Sequence, residues 1–497
     1  MKKWLVEQYN LDKTGVTFTT ENKMLKTIFD DCEELSRKNV RVFGDYKCLI
    51  EGAKYIGVWL ETQPMGGEMY AKRDLKIALA NTLVFLRNQR IDGKLPGMIR
   101  NDNAWHGTSV HYDWMQGCFL PHSALKLYYL IGKDNDYLNM LYDALSSFDD
   151  YLWTYRDSNN NGCLESWCIW DTGEDNSTVF TLGGLKMPDH GAWGASVPPE
   201  NYQNLPFDSP QYMGYSYACR DVLAKISTIL NNGKEEFWKE GAKKVADIAY
   251  EKLWDKQKHA FFCYDKFGNK VDALTQENVK CMYSGLMSQK MAEEFLNEHL
   301  LNEKEFFTAM PLPSIAVNDK HFHLNAEKSN CYEELLAKNA IAEDVDDNSW
   351  GGPVNGLIWQ RSIDALINYG FHKETVLFGK RFLNVLGREK RYVQCYDPFT
   401  GKASKGDNGY GPTMLAALEY ISILCGVNIR YDKILWSAVK DFGKFEYTQT
   451  MGKDYTLSCD GETMSAYING KKVFTHPADA RIETDMQGNI LNVYKLS

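Results

Sequence analysis

Three carboxylates stand within five residues in the stretch Trp170-Asp171-Thr172-Gly173-Glu174-Asp175-Asn176-Ser177. Like charges crowded this closely raise one another's pKa, which is how a carboxyl group keeps its proton near neutral pH and serves as a general acid. A solvated acidic loop has the same composition, so the stretch counts only if other residues complete a site. Val393-Gln394-Cys395-Tyr396-Asp397-Pro398-Phe399-Thr400-Gly401 ends in a rigid turn, suited to holding the residues before it in fixed orientation. Asn348-Ser349-Trp350-Gly351-Gly352-Pro353-Val354-Asn355 joins paired glycines to a tryptophan, which permits close backbone approach. Asn355 there offers an amide donor and acceptor to a hydroxyl pair, although an ordinary helix-entry loop looks alike. Asp157-Ser158-Asn159-Asn160-Asn161-Gly162 begins like a calcium loop. Cys168 stands where the closing glutamate belongs and Glu165 comes too early, so it reads as an Asn/Gly turn.

The elements that position these loops are mostly helical. From about residue 20 to 430 apolar residues recur at helical spacing, as in Leu138, Leu141, Tyr142, Leu145, Phe148 and Leu152. Similar stripes run through Leu75/Leu79/Leu83/Leu86, Val222/Ile226/Ile229, Trp238/Val245/Ile248 and Val376/Leu383/Leu386. Gly132, Gly233, Gly370 and Gly387 each follow a stripe, where a left-handed C-cap belongs, while Pro412 opens the last stripe and Gly426 closes it. Long loops at 59–70, 100–116, 156–180, 183–213, 344–356 and 394–412 separate the helices, and loops of that length usually carry function. The expected architecture is mainly α: a toroid of about twelve helices over residues 1–437 with loops building one rim. After residue 437 the period shortens. Asp460-Gly461, Asn469-Gly470 and Gln487-Gly488 punctuate alternating runs such as Ser465–Ile468 and Lys472–Phe474, which predicts a small antiparallel β appendage over 438–497.

Composition narrows the function class. A net charge of -10 argues against nucleic acid or an anionic membrane as partner, and no apolar run reaches the ~18 residues of a membrane span. Residues 1–7 pass at once into polar sequence, without the apolar core of a secretory leader. With 12 scattered cysteines and no zinc spacing, the thiols read as reduced and the compartment as cytosolic. Aromatic residues are abundant at 13%, with 13 Trp and 29 Tyr. This suits either an aromatic-filled core or stacking on sugar C–H faces. There is no Gly-x-Ser-x-Gly elbow, Walker loop, His-Glu-x-x-His or Rossmann fingerprint, and the 10 His, including His106, His111, His321 and His323, are dispersed. No cofactor and no metal are expected.

Taken in order, the loops resemble the inverting (α/α)6-barrel glycoside hydrolases: trehalases, processing α-glucosidase I and its bacterial relatives, and above all the mannosylglycerate/glucosylglycerate hydrolases. The likeness spans about residues 50–425 and includes Gln89–Gly97, Gln116, Arg156–Gly162 and Leu312–Ser314. It implies an exo-acting inverting hydrolase of a small α-linked glycoside, with Asp175 as general acid and Trp170 shaping the subsite of the departing sugar. Asp171 takes the acidic position that opens the motif, and Gly173 lets substrate approach the backbone. Gln116, Trp350, Asn355, Tyr396 and, by a looser match, Glu61 become sugar contacts. The family's general base falls at Gln394, whose amide can orient a water but cannot take its proton. An inverting enzyme needs a carboxylate there, ~6.5–9.5 Å from the acid. Three explanations stand open: an engineered Glu-to-Gln change that traps substrate, a substitute base such as Asp397 or Glu174, or attack by phosphate. Attack by phosphate would make the chain a phosphorylase, with Lys402 and Lys405 as the nearby cations; a non-catalytic sugar-binding protein is the further rival. The signature's closing Gly-Trp-Ser/Thr is also replaced, by Tyr410-Gly411-Pro412.

Overall fold

Two kinds of helix build the body of the protein, and burial tells them apart. The computed structural model describes residues 14–102, 107–168, 170–174, 177–182, 204–324, 345 and 349–497. Helices Gln63–Tyr70, Leu120–Leu130, Pro210–Leu230, Glu277–Ser284, Gly356–Ile367 and Gly411–Leu424 pack each on the next in that order. The last packs back on the first, so the chain of contacts closes. Several of these helices are buried all round: every residue of Glu277–Ser284 and of Gly411–Leu424 is buried. Four of the six carry proline in their first turn, where its fixed φ starts a helix and its missing N–H costs nothing.

Outside them lie Leu75–Leu86, Asn135–Tyr155, Glu235–Lys252, His372–Glu389 and Lys23–Lys38, each packed on one or two of the first set. Here the apolar stripe is the seam. Asn135–Tyr155 buries Leu138, Leu141, Leu145, Phe148 and Leu152, and Asp134 caps its start by accepting from the Tyr137 amide at 2.7 Å. Thirteen α-helices lie among the described residues, against about twelve expected.

Some details differ from the sequence reading; Gly426, expected to close the last helix, lies in the strand Cys425–Arg430. The stretch 59–70, expected as loop, contains the helix Gln63–Tyr70, although Gly66 and Gly67 make it a poor helix former. Packing decides. A Cβ on Gly67 would stand 2.6 Å from the Asn81 side chain, and one on Gly66 3.1 Å from Gln360. The glycines let neighbouring helices close, and tertiary contact supplies the stability that propensity does not. Gly387 likewise does not cap its helix but lies inside His372–Glu389, where a Cβ would strike Met24; Lys390 is the left-handed cap, with φ 52°. Gly132, Gly233 and Gly370 do take positive φ just past their helices.

The β region holds two antiparallel sheets. One runs Thr14–Thr20, Lys444–Met451, Asp454–Asp460, Thr463–Ile468, Lys471–Pro477, and the other Cys425–Arg430, Lys433–Ala438, Ala480–Asp485, Ile490–Lys495. The predicted turns form: Asn469 and Gly470 both take positive φ, as a two-residue hairpin requires. The strands begin at Cys425, directly after the last helix, and the amino-terminal strand pairs with Lys444–Met451. Phe18 from that strand meets Phe29, Phe445 and Tyr447. Buried Arg481 ties sheet to helices through the Ile423 carbonyl at 2.9 Å and His372 Nδ1 at 2.7 Å. Burial and that guanidinium keep His372 neutral, its pKa down at about 3. Among the described residues every cysteine is a buried free thiol, and no helix is long and apolar enough to cross a membrane.

Candidate active site

A cavity of about 380 Å³ opens where several of the predicted loops meet. Its frame is the three-stranded antiparallel sheet Gly57–Trp59, Met98–Asp102, Gly107–His111, with Trp59 opposite Met98. Three indoles line it, Trp59, Trp114 and Trp170, the last two in edge contact at 5.0 Å. Flat apolar rings around a pocket of this size, interleaved with carboxylates and amides, are the surface a sugar ring needs. The polar groups are Glu51, Glu61, Gln116 and Gln394, with Lys54 and Arg100 at the exposed edge.

The segment that precedes Asp175 forms one wall and is anchored at nearly every residue. Gln116 N donates to the Trp170 carbonyl at 3.0 Å and Gly117 N to that of Asp171 at 2.9 Å. Asp171 is buried and pairs with Arg156 at 2.5 Å while accepting from the Trp167 and Met115 amides. Burial alone would raise its pKa, but the guanidinium and the Trp167 amide hold it below the usual carboxylate range. Gly173 faces the cavity at φ 72°, and a Cβ there would sit 2.1 Å from the Glu61 carboxylate. Glu61 itself is held by Arg361 at 3.0 Å and Gln116 at 3.2 Å.

Glu174 points away from the cavity into a buried cluster. It pairs with Lys280 at 2.6 Å and accepts from Gln211 at 3.1 Å and Gln276 at 2.5 Å. Lys280 also donates to the Thr172 carbonyl at 3.1 Å. Beside them Glu277 accepts from Gln211 at 2.5 Å; burial and the Glu174 charge push its pKa up to about 7. Burial draws the Lys280 pKa down. Charge crowding in the Trp170–Ser177 loop is thus relieved by separate cations, Arg156 for Asp171 and Lys280 for Glu174. Asp175 lies outside the described residues, as does His106.

Gln394 also lines the cavity, and its Oε1 accepts from the Tyr55 hydroxyl at 2.7 Å. The two-residue strands Val354–Asn355 and Cys395–Tyr396 pair antiparallel and set its segment. The cavity thus brings together Glu61, Gln116, Trp170, Gly173 and Gln394 from the sequence reading. It does not bring in Asp171, Trp350, Asn355 or Tyr396, and the reasons are visible. Asp171 is spent on Arg156. Asn355 caps the helix Gly356–Ile367 by accepting from the Leu357 amide at 3.0 Å. Tyr396 donates its hydroxyl to the Arg391 carbonyl at 2.7 Å and accepts from Val393 N. Trp350 packs with Leu357 and Tyr410, beneath the Lys280 ammonium.

Neither proposed substitute base reaches the cavity. Glu174 faces Lys280, and Asp397 accepts from the Phe399 and Thr400 amides in its own turn. Lys402 and Lys405 do not line it either. In the suspected calcium loop, Asp157 and Asn161 accept from the Gly162 and Cys163 amides, an Asx-type turn. Sequence reasoning missed Glu51, Tyr55, Trp59 and Trp114. The two tryptophans had a signal, each standing two residues before a predicted contact, Glu61 or Gln116. Glu51 and Tyr55 had none.

No curated protein matches the sequence. Solved structures match in fold. A GH63 mannosylglycerate hydrolase from Thermus thermophilus, in complex with Tris, aligns with a TM-score of 0.60 at 16% identity, over 79% of this chain and 99% of that one. The neutral trehalase from Saccharomyces cerevisiae aligns at 0.52 and 12% identity, over 78% of this chain and 80% of that one. A structure named sialidase aligns at 0.69 and 15% identity, over 96% of this chain and 42% of that one. At these identities the likeness is one of fold. The sequence itself matches the family described as the mannosylglycerate hydrolase MGH1-like glycoside hydrolase domain over residues 68–411. That span is most of the chain and contains the loops Trp170–Ser177, Asn348–Asn355 and Val393–Gly401, and the protein is therefore a glycosidase belonging to the MGH1-like glycoside hydrolase family.

Proposed function

We propose that the protein is an exo-acting, inverting hydrolase of a small α-linked glycoside, with Asp175 as the general acid. One observation carries the reading: the segment that leads into Asp175, through Trp170 and Gly173, and the segment holding Gln394 line one and the same indole-lined cavity. Those are the two places from which a single displacement needs its acid and its water-activating group. Anchoring of Asp171, Thr172 and Glu174 supports the acid role, because a proton donor must be held still against the departing oxygen. In this reading the closed succession of six helices, with helices packed outside it, is the inner ring of an (α/α)6 toroid. The two sheets form an appendage that begins at Cys425 rather than near 438 and includes Thr14–Thr20. Glu61, fixed by Arg361 and Gln116, accepts from sugar hydroxyls, and the indoles stack on the ring. Lys54 and Arg100 suit an acidic aglycone, such as the glycerate in the name of the Thermus hydrolase.

The test is Asp175→Asn on natural-type α-glycosides, whose leaving groups need a proton. Turnover should fall ~10²–10⁴-fold. A variant within a few-fold of its parent overturns the assignment. The same Lys54 and Arg100 favour one second reading, attack by phosphate instead of water; turnover that stops when phosphate is withheld selects it.

A further inference from the structure

Gln394 leaves the reaction without a base, and the cavity offers a replacement. Glu51 and Glu61 are the carboxylates that line it among the described residues. Glu61 is committed to the Arg361 guanidinium and the Gln116 amide, which hold it charged and hydrogen-bonded as a sugar anchor. A carboxylate tied to a guanidinium is a weak proton acceptor. Glu51 lines the cavity together with Tyr55 and Gln394, and its Oε1 accepts from the Tyr410 hydroxyl at 2.6 Å. Burial and the Glu51 charge keep that phenol protonated, so it stays a donor and orients the carboxylate.

The backbone around Glu51 is equally fixed. Gly411 N donates to the Glu51 carbonyl at 2.6 Å, and Glu51 N donates to the Gly57 carbonyl at 3.2 Å. Gly52 takes φ 92° with a Cβ position 2.5 Å from the Gly409 carbonyl, so this corner is closed to any other residue. Tyr55 and Tyr410 connect Glu51 to Gln394: the Tyr55 hydroxyl bonds Gln394, its ring packs 6.0 Å from that of Tyr410, and Tyr410 bonds Glu51. The two positions where the sequence departs from the family signature thus meet in one place. Where the signature's base is lost, Gln394 can hold a water, and in the stretch that replaces its Gly-Trp-Ser/Thr, Tyr410 holds Glu51.

We propose that Glu51 is the general base of this enzyme and that Gln394 positions the water it deprotonates. The inference rests on the function proposed above. In the step, the water oxygen bonds to the anomeric carbon as the bond from that carbon to the departing oxygen breaks. The water proton passes to the Glu51 carboxylate, and the general acid gives its own proton to the departing oxygen. One water is consumed and both carboxyl groups exchange protons with solvent to reset.

The experiment uses the full chain and α-D-glucosyl and α-D-mannosyl fluoride, whose leaving group relieves the need for an acid but not for a base. Glu51→Gln should lower kcat ~10²–10⁴-fold with KM within a few-fold, and should remove the acidic limb of the pH–rate profile. Glu51→Ala should regain turnover with azide, an anion that attacks without a base, and release the β-glycosyl azide. Tyr410→Phe should lower kcat about tenfold, and added to Glu51→Ala it should leave that azide reaction unaffected. A Glu51→Gln variant with parental kcat overturns the inference while the proposed function stands, and so does a loss in Glu51→Ala that azide does not relieve. An inert parent that gains hydrolysis through Gln394→Glu also overturns it, by placing the base at 394. If parent and Gln394→Glu are both inert on every fluoride, the proposed function falls and this inference with it.

Discussion

Replacing Glu277 with glutamine should stabilise the protein at alkaline pH and leave it unchanged in acid. Glu277 is fully enclosed near Glu174, and its pKa stands at about 7 against an ordinary value of 4.5. Between those two pH values the folded protein keeps a proton that the unfolded chain releases. Stability therefore falls as pH rises through that window, and the penalty is complete above pH 7. At about 1.36 kcal/mol per pKa step, the gap corresponds to roughly 3 kcal/mol. Glutamine keeps an acceptor for the Gln211 amide, which lies 2.5 Å from the present carboxylate oxygen, and adds no charge beside Glu174. The assay is urea unfolding of parent and Glu277→Gln at pH 4.5, 6 and 8. The two should agree at pH 4.5 and diverge by about 3 kcal/mol in favour of the variant at pH 8. Parallel pH profiles would show that Glu277 titrates in the folded protein as it does in the unfolded chain, which would refute a Glu277 that keeps its proton to neutral pH.

Two further substitutions probe the cavity walls. Arg361→Leu takes the guanidinium from the buried Glu61 carboxylate and should cost about 3–5 kcal/mol, read as a drop in the thermal midpoint. Trp170→Ala removes an indole face from the cavity and should raise KM about tenfold with kcat little changed; an unaltered KM would move the sugar away from this wall.

The parts of the fold legible in the sequence are those whose pattern is local. The stripe in Asn135–Tyr155 shows because that helix buries one side only. Gly411–Leu424 is buried throughout, so its sequence carries no face to read, only the opening Pro412. Gln63–Tyr70 escapes local reading altogether, since its glycines serve neighbours distant in the chain. The hairpin turns at Asp460-Gly461 and Asn469-Gly470 are local, whereas the pairing of Thr14–Thr20 with Lys444–Met451 is not. The site divides the same way. Glu61, Gln116, Trp170, Gly173 and Gln394, singled out from separate motifs, line one cavity. Asn355 and Tyr396 sit in the right loops but bond their own backbone, because a motif marks a segment and not the direction of each side chain. Glu51 and Tyr410 are brought together across 359 residues, and no short motif records such a contact.

A single displacement across one cavity is tested most directly by the stereochemistry of the first product. Hydrolysis of an α-D-glycosyl fluoride followed by proton NMR, before mutarotation sets in, resolves the anomers. The β hemiacetal should come first, with the α form growing in later. The α anomer as first product would mean two displacements through a covalent intermediate and would contradict an acid, a water and a base arrayed across this cavity.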